Sequence, residues 1–413
     1  MSSYNKYKLD NGLEVILSPN NHLHSVSIAV GLNYGLFYES NNTAGVSHLI
    51  EHMLFEGTDK FDKKTLKGFL DNQTTYWNGE TDAEVTSYKF KLLNLSKPQY
   101  VFDIISDMLF NSVFPEENLI KEKNAVVNEV QSNFGEELSI ESAISRAYLL
   151  KKPAATFLGG DPRKIEGMPK NTILDLYSKY YSPGNTVMSI AGNFNSKNVI
   201  KSIDNAFGDI KKDNITPDLR IYTGKTKYKS VHVKSFNPYP GQSSLIFGMK
   251  IPGAEELYRK SEKGRAGLNY IHSILADRLM ESLRDKAGLV YLADAEMDIS
   301  RHAGYLVLYA KTKTKDLEES KRLIFNELEK IINGDVIDKN VNNSKISLKA
   351  SLADIFDSTL DHATEMLNSS LKYGKDINQL YKEEISLTLD DVRAAAAYLK
   401  TEGKDDSILI ISN

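Results

Sequence analysis

The chain has 413 residues, with 51 Lys and Arg against 55 Asp and Glu for a net charge of −4, 41% hydrophobic and 26% charged residues, and no cysteine. That composition belongs to a globular protein rather than a disordered or fibrous one, and the length favours two domains of about 200 residues each. It offers no basic field for nucleic acid, and it excludes disulfides, thiolate metal sites and a cysteine nucleophile, so any metal site must be built from His, Asp or Glu.

The N-terminus has no apolar stretch behind a basic start, which argues against a secretory signal. No segment approaches the ~18 uninterrupted apolar residues of a membrane helix, so the expectation is a cytoplasmic protein with no membrane partner. Asn11-Gly12 is a hairpin signal, and Leu13–Leu17 and Ser25–Val30 alternate as strands do. His48–Phe55 reads as a helix, with Thr43 or Ser47 to cap it and Gly57 to stop it. Glu84–Leu93 is a further strand. Pro115–Phe134 is helical, with Pro115 near its start and acidic residues in its first turn.

The apolar run Thr186–Ala191 reads as a late strand of a first domain, residues 1–210. Residues 211–228 are polar, contain Pro217 and lack periodicity, so they are expected to be a linker. A second domain, 229–413, restarts with strands at Ser230–Phe236 and Ser243–Lys250 and a helix over Lys263–Lys286. Strands at Leu289–Asp294 and Gly304–Ala310, long helices and a last strand at Ser407–Ile411 follow. Each half runs strands, helix, strands, helices. The expectation is an α+β fold of two homologous domains, each a mainly antiparallel sheet packed against helices.

The run His48-Leu49-Ile50-Glu51-His52 carries the chemistry. Residues four apart share one helix face, so both imidazoles can reach one metal, with the Glu51 carboxylate near the same edge. This is the reversed order of the H-E-x-x-H zinc motif. Two histidines leave a zinc ion short of a protein ligand, which must come from elsewhere in the chain. Glu122 and Glu129 stand seven apart, two helical turns, beside Val126 on one face. A lone carboxylate on a partly apolar face is costly unless it is paired or binds metal. On periodicity alone, two solvated acids on an acidic helix serve as well.

The chain resembles the pitrilysin/insulysin family of inverted-motif zinc metallopeptidases, in its short, processing-peptidase-like branch. The matching stretches are Leu9–Leu13, the block Ala44–Thr58 around the histidines, Asn128-Glu129-Val130, Tyr180–Asn185 and Ala191–Phe194. In that family the third ligand lies about 77 positions after the second histidine, where Glu129 stands, and a glutamate seven residues earlier, Glu122 here, supports the site. The resemblance therefore implies one zinc ion per chain on His48, His52 and Glu129, with Glu51 as general base toward the attacking water. Trp77–Thr81 resembles the family's Asn-Ala-x-Thr segment at the substrate edge strand and implies Asn78 as a substrate contact, although Gly79 replaces the usual alanine. Leu283–Tyr291 matches an element whose arginine and tyrosine, Arg284 and Tyr291, bind substrate and flank the catalytic centre. Without the family, these two read as an exposed arginine and a half-buried tyrosine at a helix-to-strand turn. Chains of this length form half of a clamshell in the family. The implied assembly is a homodimer enclosing a peptide substrate, with a heterodimer of related subunits, or a non-catalytic scaffold subunit, as alternatives.

Overall fold

The computed structural model describes residues 4–133, 145, 148–149, 159–211, 225–233, 241–400 and 405–412. In chain order, its principal elements begin with β1 (Asn5–Lys8), β2 (Glu14–Pro19), β3 (Val26–Leu32), α1 (Val46–Met53), α2 (Lys63–Gln73), β4 (Tyr76–Thr81) and β5 (Thr86–Leu92). Next come α3 (Pro98–Phe110), α4 (Glu116–Asn133), α5 (Pro162–Gly167), α6 (Lys170–Tyr180), β6 (Thr186–Gly192) and α7 (Ser196–Phe207). The second half contains β7 (Lys229–Val233), β8 (Gln242–Pro252), α8 (Ala254–Lys260), α9 (Gly264–Leu279), β9 (Val290–Ile299) and β10 (Ala303–Lys313). It continues with α10 (Leu317–Ile332), α11 (Asp338–Asp357), α12 (Thr359–Tyr373), α13 (Ile377–Ile385), α14 (Leu389–Ala395) and β11 (Ser407–Ser412). Among the described residues no helix is long and apolar enough to cross a membrane.

The strands form two sheets, ordered β1-β2-β6-β3-β5-β4 and β7-β11-β8-β10-β9. In the first, β2 and β6 are parallel, while β6-β3, β3-β5 and β5-β4 are antiparallel. In the second, β7 and β11 are parallel, and β11-β8, β8-β10 and β10-β9 are antiparallel. Setting aside β1, the two orders are the same: the first strand lies parallel to the last, and the third strand closes the far edge. This shared topology carries the duplication that the sequence shows only as an order of elements. The fold class is α+β, with each sheet packed against helices.

The centre of the first sheet explains its composition. All seven residues of β3 and all seven of β6 are buried, so both strands are nearly continuous apolar runs rather than alternating ones. Their cover includes α12, which packs on β3, β5 and β6. Its buried residues Ala363, Met366, Leu367 and Leu371 recur at helical spacing. A Cβ on Gly31 would stand 3.0 Å from Leu367, so the glycine admits the helix close to the strand. Polar stitches follow the same seam: Ser189 Oγ donates to the Ala363 carbonyl at 2.6 Å, and Ser370 Oγ to Glu14 at 2.6 Å.

The compact units are therefore not contiguous in sequence. Described residues 4–133, 159–211 and 352–378 form one unit; Ser145, Tyr148, Leu149 and the described residues of 225–351 and 379–412 form the other. The domain ranges 1–210 and 229–413 require amendment, because α12 completes the core of the first sheet. In the same way Ser145, from the N-terminal half, stands on β8 of the second sheet, where a Cβ on Gly248 would fall 1.8 Å from its Oγ. Most of the expected linker (212–224) lies outside the described residues, as do Phe134 and the strand positions 234–236. The single helix expected over Lys263–Lys286 divides: α9 ends at Leu279, and Met280–Lys286 winds on as a π-helical turn.

Candidate metal centre

Helix α1 is held by a residue the sequence does not point to. Its N-cap is Gly45, at φ 99°, where a glycine meets no steric penalty. Neither Thr43 nor Ser47 caps it. The buried carboxylate of Glu39 accepts the Gly45 N–H at 2.7 Å, the Ser47 N–H at 2.8 Å and the Ser47 hydroxyl at 2.6 Å. A carboxylate there satisfies unpaired amides at the positive end of the helix dipole. The helix is buried along nearly its whole length, including His48 and Glu51.

The two imidazoles lie edge to face with ring centroids 4.9 Å apart. Each is oriented through its Nδ1. His48 Nδ1 lies 3.2 Å from the Gly159 carbonyl, and His52 Nδ1 lies 3.1 Å from the Glu122 carboxylate. A carbonyl and a carboxylate only accept, so both Nδ1 atoms carry the proton, and in the neutral form of either ring Nε2 is the atom left to offer a lone pair. Helix α4 lies against α1 with Val126 and Val130 buried, and its Glu129 carboxylate sits 3.6 Å from His48 Nε2 and 3.5 Å from His52 Nε2. Ligand atoms of His48, His52 and Glu129 all lie within 4.8 Å of one another.

The electrostatics follow from burial and these contacts. Burial, aided by the neighbouring His52, lowers the His48 pKa and favours the neutral, metal-binding ring. Burial alone would lower His52 as well, but the Glu122 hydrogen bond and the charges of Glu51, Glu129 and Glu122 outweigh it and raise it. The His52 contact holds Glu122 below the usual carboxylate range. Burial raises the Glu51 carboxyl to about 7, against the pull of His52 and of the Thr81 hydroxyl, which donates to Glu51 Oε2 at 3.1 Å. Two nitrogen donors, one carboxylate and a carboxylate behind the second ring are the donor set that zinc takes, so these residues fit the ion.

The remaining sequence candidates fall in two places. Asn78 lies on β4, which is an edge of the first sheet beside α1, and is exposed. Arg284 and Tyr291 belong to the second unit, with the guanidinium 5.8 Å from the tyrosine ring centroid. Tyr291 is 86% exposed rather than half-buried, near the start of edge strand β9. β9 occupies in its sheet the place that β4 occupies in the first. Sequence reasoning missed Glu39, Gly159 and the role of Thr81. Thr81 lies inside a recognised motif, whereas the first two act across loops and leave no local signal.

Comparison with known proteins bears on the family and the fold. Residues 15–159 match the family model "Insulinase (Peptidase family M16)", and residues 168–348 match "Peptidase M16 inactive domain". An uncharacterized zinc protease of Bacillus subtilis, YmxG, is 26% identical over 98% of each chain. A probable mitochondrial-processing peptidase subunit beta of Arabidopsis thaliana is 22% identical over 89% of this chain and 70% of its own. The crystal structure of a protease from Helicobacter pylori superposes with a TM-score of 0.86 at 18% identity, over 100% of both chains. With the two family models spanning both halves and the shared two-sheet fold, the chain belongs to peptidase family M16.

Proposed function

We propose that this chain is a zinc-dependent endopeptidase, with one zinc ion per chain on His48, His52 and Glu129 and Glu51 as general base. The observation that carries this reading is the convergence of both histidine Nε2 atoms on Glu129, with the Glu51 carboxylate on the same helix beside β4, the edge strand of the sheet among the described residues. When bound, zinc supplies Lewis acidity that acidifies water toward neutral pH and polarises a carbonyl. Glu51 takes the proton of the attacking water and returns it to the leaving amine. In the metal-free chain burial raises the proton affinity of the Glu51 carboxyl, the direction that a base which must also hand its proton back requires. Glu122 fixes the His52 ring and its tautomer. The peptide joins the edge of β4 as an added strand, with Asn78 as a contact, and Arg284 and Tyr291 bind it or stabilise the oxyanion.

A homodimer enclosing the substrate is the assembly proposed, with the exposed Tyr291 of one chain serving the metal centre of the other. The match to the inactive-domain model favours one further reading, a non-catalytic subunit of a heterodimer. That match covers residues 168–348, which contain none of the proposed ligands. Zinc content and cleavage of a peptide library by the parent chain and by Glu51→Gln separate the two. The endopeptidase reading expects about one zinc in both proteins and a loss of about 10²–10⁴ in rate in the variant. A parent chain that retains no zinc and cleaves nothing would overturn it.

A further inference from the structure

We propose that Thr81 and Gly79 of β4 form a built seat for the Glu51 carboxylate, which makes Thr81 a positioning residue for the general base; this rests on the peptidase reading above. Trp77, Gly79 and Thr81 alternate with Tyr76, Asn78 and Glu80, so the first three share one face of the strand. Gly79 and Thr81 both meet Glu51 of α1. A Cβ on Gly79 would stand 2.2 Å from Glu51 Oε1 and 2.8 Å from its Cδ, so the carboxylate occupies the space a side chain would take. The other oxygen, Oε2, accepts the Thr81 hydroxyl at 3.1 Å. Thr86, 3.4 Å from the same hydroxyl, already donates its own proton to the Tyr34 carbonyl at 2.6 Å, leaving the Thr81 proton for Glu51.

Aromatic side chains make the floor beneath the seat. Tyr88, paired with Gly79 across the two strands, is fully buried, and its hydroxyl bonds that of Tyr181 at 2.8 Å. Phe55 packs between Trp77 and Tyr88, with ring centroids 5.0 and 5.9 Å away. One carboxylate oxygen is thus fixed by a hydroxyl and the other lies over bare backbone. The departure from alanine at position 79 acquires a physical reason: the glycine makes room for this placement of Glu51. The strand whose edge would receive substrate also holds the base, which sets the base relative to the scissile bond.

The test compares Thr81→Val, Thr81→Ser and Gly79→Ala with the parent on an internally quenched peptide library, with zinc content and crystal structures of each. Thr81→Val keeps the shape but loses the hydroxyl. It should lower kcat roughly tenfold to a hundredfold with KM and zinc content unchanged, the loss expected for one hydrogen bond to a charged group. Thr81→Ser should recover kcat to within about threefold. In Gly79→Ala the carboxylate should be found displaced from Thr81, with kcat lowered and zinc retained. Full kcat in Thr81→Val, or Thr81→Ser as impaired as Thr81→Val, overturns the positioning role while leaving the peptidase reading intact. If the parent cleaves nothing, the peptidase reading fails. The crystal structures then decide the seat alone, Glu51 leaving Thr81 in Gly79→Ala supporting it and Glu51 staying in place overturning it.

Discussion

Glu122 and Glu129 differ by seven positions on one helix, and the structure predicts very different consequences for neutralising them. Glu129 lies between the two Nε2 atoms, at 3.6 and 3.5 Å, so it shares the space a metal would fill. Glu122 meets the opposite side of the His52 ring, 3.1 Å from Nδ1, and can act on a metal only through that ring. The donor atoms are within 4.8 Å of one another, so an ion held among them feels the full Glu129 charge. Two unit charges about 4 Å apart near a protein surface interact by about 4 kcal/mol, equivalent to roughly 10³ in affinity, and a divalent ion interacts more strongly still. Glu129→Gln should therefore weaken zinc binding by about 10³-fold or more. Glu122→Gln keeps an acceptor for the Nδ1 proton and loses only the charge, so it should cost about 10–100-fold. Competition with a fluorescent zinc chelator at constant pH measures both constants. Equal losses, or a larger loss in Glu122→Gln, would refute the assignment of ligand and supporting residue.

The shared-site reading predicts that Glu51→Gln and Tyr291→Phe, each impaired alone, recover activity when denatured and refolded together, because a mixed dimer contains one site with both residues intact. Mixed dimers as inactive as either parent would sink it. A separate prediction concerns acid stability. His362 is 4% exposed, and burial pushes its pKa down to about 4. The unfolded chain binds that proton more tightly, so the stability contribution is complete above about pH 6.5 and is lost as pH falls toward about 4. Between about pH 7.5 and about pH 5 this group alone should remove about 2 kcal/mol from the zinc-free protein. As pH falls, the urea midpoint of the parent should drop more than that of His362→Phe, both treated with chelator, and parallel pH dependences would contradict the account.

What the sequence determines by itself is whatever depends on short, regular spacing. Four residues from His48 to His52 put both rings on one helix face in any fold that keeps the helix. Alternation or unbroken apolarity marks β2, β3, β5, β6, β8 and β10 because the pleat and its burial impose those patterns locally. Seven residues from Glu122 to Glu129 likewise align two carboxylates, yet nothing in that spacing says which one would lie nearer the histidine Nε2 atoms. Only the likeness to a family proposed Glu129, and only the packing of α4 on α1 brings its carboxylate to both Nε2 atoms.

The tertiary structure alone decides contacts made across long stretches of chain. The apolar stripe of α12 reads the same whichever sheet it covers; its docking on β3 and β6 is settled by fit, with Gly31 leaving room for Leu367. The cap of α1 comes from Glu39, whose reach depends on the path of a loop rather than on any capping pattern. The Gly159 carbonyl orients His48 from 111 positions away, and Thr81 reaches Glu51 from 30. A helix can specify which face is apolar and where its histidines point. It cannot specify the partner that meets that face, because that choice depends on the shapes of elements distant in sequence and on the free energy of burying them together.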